Sequence, residues 1–226
     1  VTSQPIAEGV IQFRAEHSSK SLYHAQDLEV IGHLVAWRAL LFKLGVIGQH
    51  AHRYDGLGFG NVSARVGAPS ASPGARPFVI TGTQTGGVER LEVSHFARVE
   101  RYDLSRNQLW SHGLCRPSSE SLTHGALYDL GPQLRAVFHV HSPEVWHAHR
   151  ALRLPTTSPE VGYGTVAMAR AMRKAWQDGG LAEAGVVVML GHEDGVVAVG
   201  KSPEEAGQRL VKVWVDAVHG ACRAKD

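Results

Sequence analysis

The chain has 226 residues, of which 43% are hydrophobic and 19% charged, and a formal net charge of +2. That composition suits a single folded domain with a sizeable core and excludes a disordered chain. The nearly balanced charge, with no Lys/Arg run, argues against nucleic acid or an anionic membrane as the main partner.

Ser3 ahead of Pro5 predicts a first helix with Ile6, Val10 and Phe13 along it. Asp27 is the expected cap of a longer helix. Leu28, Ile31, Leu34, Val35 and Leu41 recur at helical spacing there, and Gly45 is the stop. Residues 49–60 read as a loop ending in Gly56, Gly58 and Gly60. Residues 62–66 and 78–81 read as strands, with a surface loop over 69–77 between them. A hairpin is expected from 96–104 and 108–111. Pro117-Ser118-Ser119-Glu120 opens a helix running to about residue 130. The strand 136–141 follows, and Ser142-Pro143 and Thr165 begin two more helices. Residues 186–190 and 196–199 form a hairpin enclosing His192. Ser202-Pro203-Glu204-Glu205 reads as a capping box for the last helix. Mixed strands and helices, with several antiparallel neighbours, predict helices on both sides of a sheet.

Cysteine usage and the ends of the chain set the expected compartment. Cys115 and Cys222 form neither metal-type spacing nor a disulfide framework. No apolar run reaches membrane-spanning length, and Val1-Thr2-Ser3-Gln4-Pro5 lacks the apolar core of a signal peptide. A reduced, cytoplasmic setting is expected.

Fourteen histidines are an unusual number. One metal site uses three or four, so most are structural or surface groups. Ala136-Val137-Phe138-His139-Val140-His141 selects two. Side chains alternate along a strand, so His139 and His141 share a face. Two imidazoles so placed can hold one metal ion, although the spacing fits stacked structural histidines equally well. His192, in a Gly-rich turn between two apolar strands, is the third candidate, and taken alone it reads as a turn residue. His147 and His149 sit about 200° apart on a helix and cannot share an ion. His33 reads as structural, His50 and His52 as loop residues. Nothing selects His112 or His124, which are candidates for groups behind the site.

Glu120 is the acid/base candidate, at a helix N-terminus whose free N–H groups and dipole suit an anion. By local sequence alone it reads as an exposed first-turn acid after a Ser119 cap. Two polar, glycine-bearing loops, Gly60-Asn61-Val62-Ser63 and Thr81-Gly82-Thr83-Gln84-Thr85-Gly86, can bring N–H groups to an anion. Neither is a P-loop, since the lysine is missing. Each reads equally as a turn.

Taken in order, Gly60-Asn61-Val62-Ser63, Ile80-Thr81…Thr85-Gly86, Ser118-Ser119-Glu120, Phe138-His139-Val140-His141, Tyr163-Gly164-Thr165 and His192…Gly195-Val196-Val197-Ala198-Val199-Gly200 resemble the class II aldolase/adducin family, over roughly residues 25–220. Within it the chain resembles fuculose-phosphate aldolase-like enzymes. The resemblance implies one α/β domain over 1–226, with 1–26 as an N-terminal extension. Its fold would be a three-layer α/β/α sandwich with a mixed, largely antiparallel sheet. It implies that His139, His141 and His192 bind a divalent metal, typically zinc, with manganese or cobalt as alternatives. Glu120 matches the acid/base glutamate. Asn61, Gly82, Thr83, Ser118 and Ser119 match a pocket for a phosphate or other anionic end.

The implied activity is an aldolase-type lyase acting on a small hydroxy-carbonyl compound, sugar phosphates included, through an enediolate. A metal stabilises the developing charge of such a species, and a carboxylate moves the proton. A small-molecule substrate and a homo-oligomer, usually a tetramer, are the implied partners. The alternatives are a dehydratase, a decarboxylase or a 4-epimerase on the same centre, and a non-catalytic adducin-like interaction module. Two departures separate this chain from the sugar-phosphate aldolases. The segment after His141, Ala151-Leu152-Arg153-Leu154-Pro155, is short and lacks their tyrosine, and the loop at 81–86 is longer than the usual Thr-Pro-Thr-Gly form.

Overall fold

The structure, a computed structural model, describes residue 11 and residues 13–223. The helix expected from Ser3 and Pro5 lies outside the described residues except at its end, where Phe13 is not helical: it is a buried bend residue that leads into the first strand. In chain order the strands are β1 (Arg14–Ser18), β2 (Gly48–Gln49), β3 (Gly58–Phe59), β4 (Asn61–Arg65), β5 (Phe78–Thr81), β6 (Phe96–Asp103), β7 (Gln108–Gly113), β8 (Ala136–His141), β9 (Val186–Val188) and β10 (Gly195–Gly200). The helices are α1 (Ala25–Lys43), α2 (Ser121–Tyr128), α3 (Pro143–Ala148), α4 (Val166–Gln177), α5 (Gly180–Ala184) and α6 (Pro203–Arg223).

Eight strands make one sheet in the order β1-β7-β6-β5-β4-β8-β10-β9, and β2 pairs with β3 apart from it. Every neighbouring pair in the large sheet is antiparallel except β1 with β7, which run parallel. The mixed, largely antiparallel sheet expected from the sequence is the one the chain forms.

Period-two alternation decides the layers. On β8, Ala136, Phe138 and Val140 turn to one face. They join Val196 and Ala198 of β10, Ile31, Leu34 and Leu41 of α1, Val145 of α3, and Ala206 and Leu210 of α6. Val137 turns to the other face, with Val197 and Val199 of β10, Leu122 and Leu127 of α2, Met168 and Met172 of α4, and Leu181 of α5. Each fully buried aliphatic side chain of this kind contributes roughly 1.5–3 kcal/mol. Helices therefore cover both faces, in three layers. His139 and His141 share the parity of Val137, so β8 turns them toward the α2 layer.

Several local expectations match the chain. Thr165 caps α4, accepting from Met168 N–H at 3.1 Å. Gly45 follows α1 with φ of +72°. Ser202 Oγ accepts from Glu205 N–H at 3.2 Å, but the Glu205 carboxylate reaches back to Lys201 N–H rather than to that of Ser202. Asp27 differs. The sequence predicts it as the cap of α1, yet the helix begins at Ala25 with His24 in the cap position. Asp27 is buried in the first turn and ion-paired to Arg98 of β6. A buried carboxylate needs a cation to offset its desolvation, and that need outweighs a cap. Leu28, predicted on the apolar face of α1, is exposed. Among the described residues no helix is long and apolar enough to cross a membrane.

Candidate metal centre

β8 lies between β4 and β10. His139 stands opposite Asn61 of β4 and Val197 of β10, and His141 stands opposite Gly195. Because β10 pairs antiparallel with β8 from Gly195 onward, the turn before Gly195 overhangs the end of β8. That turn carries His192. Three backbone bonds close it: His192 N–H to Met189 O at 3.0 Å, Gly195 N–H to His192 O at 2.9 Å, and Met189 N–H to Gly195 O at 2.8 Å. The sheet register thus brings His192 back to a pair of histidines some fifty residues earlier in the chain.

All three histidines are buried, and one ligating atom from each lies within 4.8 Å of the others. The rings of His139 and His192 stack at 5.0 Å, 26° apart. His141 meets His192 edge-on at 4.7 Å and His139 at 5.0 Å. Among the described residues no other three His, Cys, Asp or Glu side chains gather this way. His33 instead pairs with Glu204 on the surface. His147 lies on α3, with His149 just past its end. His112 sits beside Glu100 at 3.2 Å.

Burial holds His139 and His141 well below the usual imidazole range, and neighbouring histidines add to it. Both rings are therefore neutral, with lone pairs available. Apart from an approach to the Val196 backbone, neither ring nitrogen of His139 has a hydrogen-bond partner of good geometry. Buried imidazole nitrogens without protein partners are costly. A divalent cation satisfies such lone pairs, and three neutral imidazoles are a donor set that suits one while leaving room for another ligand. The residues present fit a metal ion.

Glu120 occupies the position just before α2 and is 1% exposed, with Oε1 3.8 Å from His192 Nδ1. The reading of Glu120 as an exposed first-turn acid is excluded by that burial. Ser118 sets the turn: its Oγ accepts from Glu120 N–H at 3.3 Å, and its carbonyl accepts from Ser121 N–H at 3.1 Å. Ser118 and Ser119 are both buried.

The loop carrying Gly82 and Thr83 is laced to this segment. Ser118 N–H donates to Thr81 O at 3.2 Å, and Thr83 N–H donates to Arg116 O at 2.9 Å. A Cβ at Gly82 would come within 2.4 Å of Cys115 Sγ, so only glycine fits there. Gly82 N–H is itself engaged by His95 O at 2.8 Å. The main-chain donors expected to cradle an anion at Gly82 and Thr83 are thus committed to the pairing of the two loops. An anion there would meet side-chain donors instead. Asn61 is buried beside His139, and its Oδ1 has no hydrogen-bond partner. Gly60 before it has φ of +78°, and a Cβ there would meet Ile47 at 2.7 Å.

Behind Glu120 on the same stripe of α2 lie His124 and Tyr128. Ser63 Oγ stands 2.6 Å from both His124 Nδ1 and Tyr128 Oη. Burial pushes His124 down to about 3. Two tyrosines pack on the histidines. Tyr163 stacks on His192 at 4.6 Å, and Tyr54 meets His141 edge-on at 4.5 Å. Tyr54 Oη donates to Asp194 Oδ2 at 2.6 Å. The sequence singles out neither Tyr54 nor Asp194 for this. Asp194 sits in the His192 turn, but its partner is 140 residues away.

Residues 49–214 match the family model of the class II aldolase and adducin N-terminal domain. No curated protein matches the sequence. Similar solved structures include L-fuculose-1-phosphate aldolase from Thermus thermophilus, at 17% identity and a TM-score of 0.60, covering 86% of this chain and 94% of that one. A sugar-phosphate aldolase from Thermotoga maritima gives 17% and 0.63, covering 84% and 92%. YgbL from Escherichia coli, a candidate aldolase, epimerase or decarboxylase, gives 19% and 0.57, covering 84% and 87%. At these identities the likeness is one of fold.

Proposed function

Because the chain belongs to the class II aldolase and adducin family, we propose that it is a metal-dependent aldolase-type lyase acting on a small hydroxy-carbonyl compound. Sugar phosphates are the first class to test. The observation that carries this reading is the convergence of three buried imidazoles within 4.8 Å, beside the buried Glu120. His139, His141 and His192 would hold the divalent ion, zinc first, with manganese or cobalt as alternatives. When bound, such an ion supplies Lewis-acid stabilisation of negative charge developing on a substrate oxygen.

The protein's own groups account for the remaining chemistry. Glu120 takes the substrate proton and returns it, as a carboxylate held out of bulk water beside the ligands. Asn61, Thr83, Ser118 and Ser119 orient the far end of the substrate with side-chain donors, and Gly82 keeps their loops close. Burial excludes water from the proton transfer. The reading extends to a homotetramer.

Two measurements test it. Protein purified without added metal is expected to carry about one divalent ion per chain by elemental analysis. A screen of hydroxy-carbonyl compounds read by mass is expected to find one that splits into two carbonyl fragments. Absence of bound metal, with no turnover restored by Zn²⁺, Mn²⁺ or Co²⁺, would sink the reading. The short segment at 151–155, without a tyrosine, favours a second reading on the same centre: dehydratase, decarboxylase or 4-epimerase. The same screen separates these by loss of water, release of CO₂ or an unchanged mass with a new isomer.

A further inference from the structure

We propose that Arg53, Tyr54 and Asp194 form a latch that fixes His192 against His141, which makes Tyr54 a positioning residue for the metal centre. The proposal rests on the metal-binding reading of the three histidines.

Tyr54 touches both sides of the centre. Its ring packs edge-on against His141 at 4.5 Å, and its hydroxyl donates to Asp194 Oδ2 at 2.6 Å. Asp194 is two residues beyond His192 in the closed turn before β10. That turn is also tied to the end of β8, since Ser142 N–H donates to Asp194 O at 2.8 Å. One side chain therefore spans the segment carrying two of the histidines and the turn carrying the third.

Arg53 holds Tyr54 in place. Its Nη2 donates to Tyr54 Oη at 2.6 Å and lies 3.7 Å from Asp194 Oδ2. Its guanidinium also covers the rings of Tyr54 and Phe59, at 4.9 and 4.8 Å. Phe59 in turn packs on His141 at 5.4 Å.

The backbone at both ends of the latch is strained. Tyr54, Asp55 and Asp194 have φ of +50°, +56° and +58°, a region that non-glycine residues rarely adopt. Such conformations persist where surrounding bonds over-determine them. Tyr54 and Asp194 are bonded to each other. Neither belongs to the two apolar clusters that hold the sheet and helices together. Groups that orient a ligand from behind commonly shift metal affinity about 10–100-fold when removed.

Cobalt(II) is the probe, read by titration and by its visible spectrum. Y54F keeps the ring against His141 and removes only the hydroxyl. D194G removes the carboxylate at a φ that glycine accepts. Each is expected to weaken Co²⁺ binding about 10–100-fold and to lower the visible absorbance per bound ion. The metal-free melting temperature is expected to stay near that of the wild type. Combining the two is expected to cost less than the sum of the two single losses, because both break the Tyr54–Asp194 bond. D194N keeps an acceptor oxygen and tolerates the backbone, so it is expected to rescue. If Y54F lowers the metal-free melting temperature, the contrast between D194G and D194N decides by the same readouts. Wild-type affinity and spectrum in Y54F or D194G would overturn the latch while leaving the metal centre standing, as would additive losses in the double variant. A wild-type protein that binds no Co²⁺ would overturn the metal reading itself, and the latch with it.

Discussion

At one end of the sheet, where β4 finishes and β8 begins, three arginines lie close together. Arg65 Nη1 donates to Pro132 O, and its Nη2 reaches Ala68 O and Pro69 O. Arg76 donates to Ala71 O and Tyr128 O, and Arg135 donates to Arg65 O. At the other end, where β8 finishes, the buried polar groups are imidazoles, and, apart from an approach to the Val196 backbone, His139 has no partner of good geometry on either nitrogen. Both ends bury polar atoms on the same strands. The arginine end directs most of its donors at the carbonyls of neighbouring segments and so fastens them to the sheet. Arg65 Nε and Arg135 Nη1 are left without partners, but an arginine N–H cannot ligate a cation. The histidine end keeps lone pairs converging on one point. Buried polarity alone therefore does not mark a site. Neutral side chains able to ligate, gathered within reach of one point, do.

This contrast can be broken by experiment. Removing a ligand should have the largest effect: H139A and H192A are each expected to retain less than about a tenth of the wild-type metal content by elemental analysis, with folding intact by circular dichroism. Glu120→Gln should come next. It keeps the ligands, so metal content should hold while turnover falls roughly 10²–10⁴-fold. Equal loss of metal and turnover would instead make Glu120 a ligand. At the other end, Arg65→Met is expected to cost about 1–3 kcal/mol in urea unfolding, because carbonyls lose their donors, with metal content unchanged. A change in metal content there would erase the distinction between the two ends.

A pH dependence of stability leaves the bound metal out of account altogether. His124 is held to about 3 by burial, whereas an unfolded histidine titrates near about 6.5. Between those values the unfolded chain binds the proton and the folded chain does not, so stability is full above about 6.5 and is lost as pH falls. At pH 5 that loss is about 2 kcal/mol for this one ring. His139 and His141 act in the same direction in metal-free protein. Urea midpoints of the metal-free protein at pH 7 and pH 5 check it.

Much of the candidate site is legible in the sequence, for a local reason. Alternation along residues 136–141 places His139 and His141 on one face whatever the rest of the chain does, and the turn residues around His192 mark it as the link between two strands. The burial of Glu120 is not local. It depends on Ser118 folding its segment against the loop at 81–83, through bonds between strands far apart in sequence. The same holds for Asp27, whose capping position in the sequence gives way to Arg98, 71 residues on. The strand Arg14–Ser18 escapes the pattern because it is recognised only by its parallel pairing with β7. The committed N–H groups of Gly82 and Thr83 belong here too. Glycine-rich sequence signals a close approach of backbone, but not whether another loop or a ligand makes it.

By itself the sequence determined the family, the strand that carries two histidines, the turn that carries the third, and the helix start that carries Glu120. Each is a short-range pattern of period, cap or turn. The tertiary structure alone decided that these pieces meet, that His139 and His141 are buried and neutral, and that Tyr54 bridges to a turn 140 residues away. Those outcomes follow from sheet register and burial, which arise only when distant segments pack and which no local window contains.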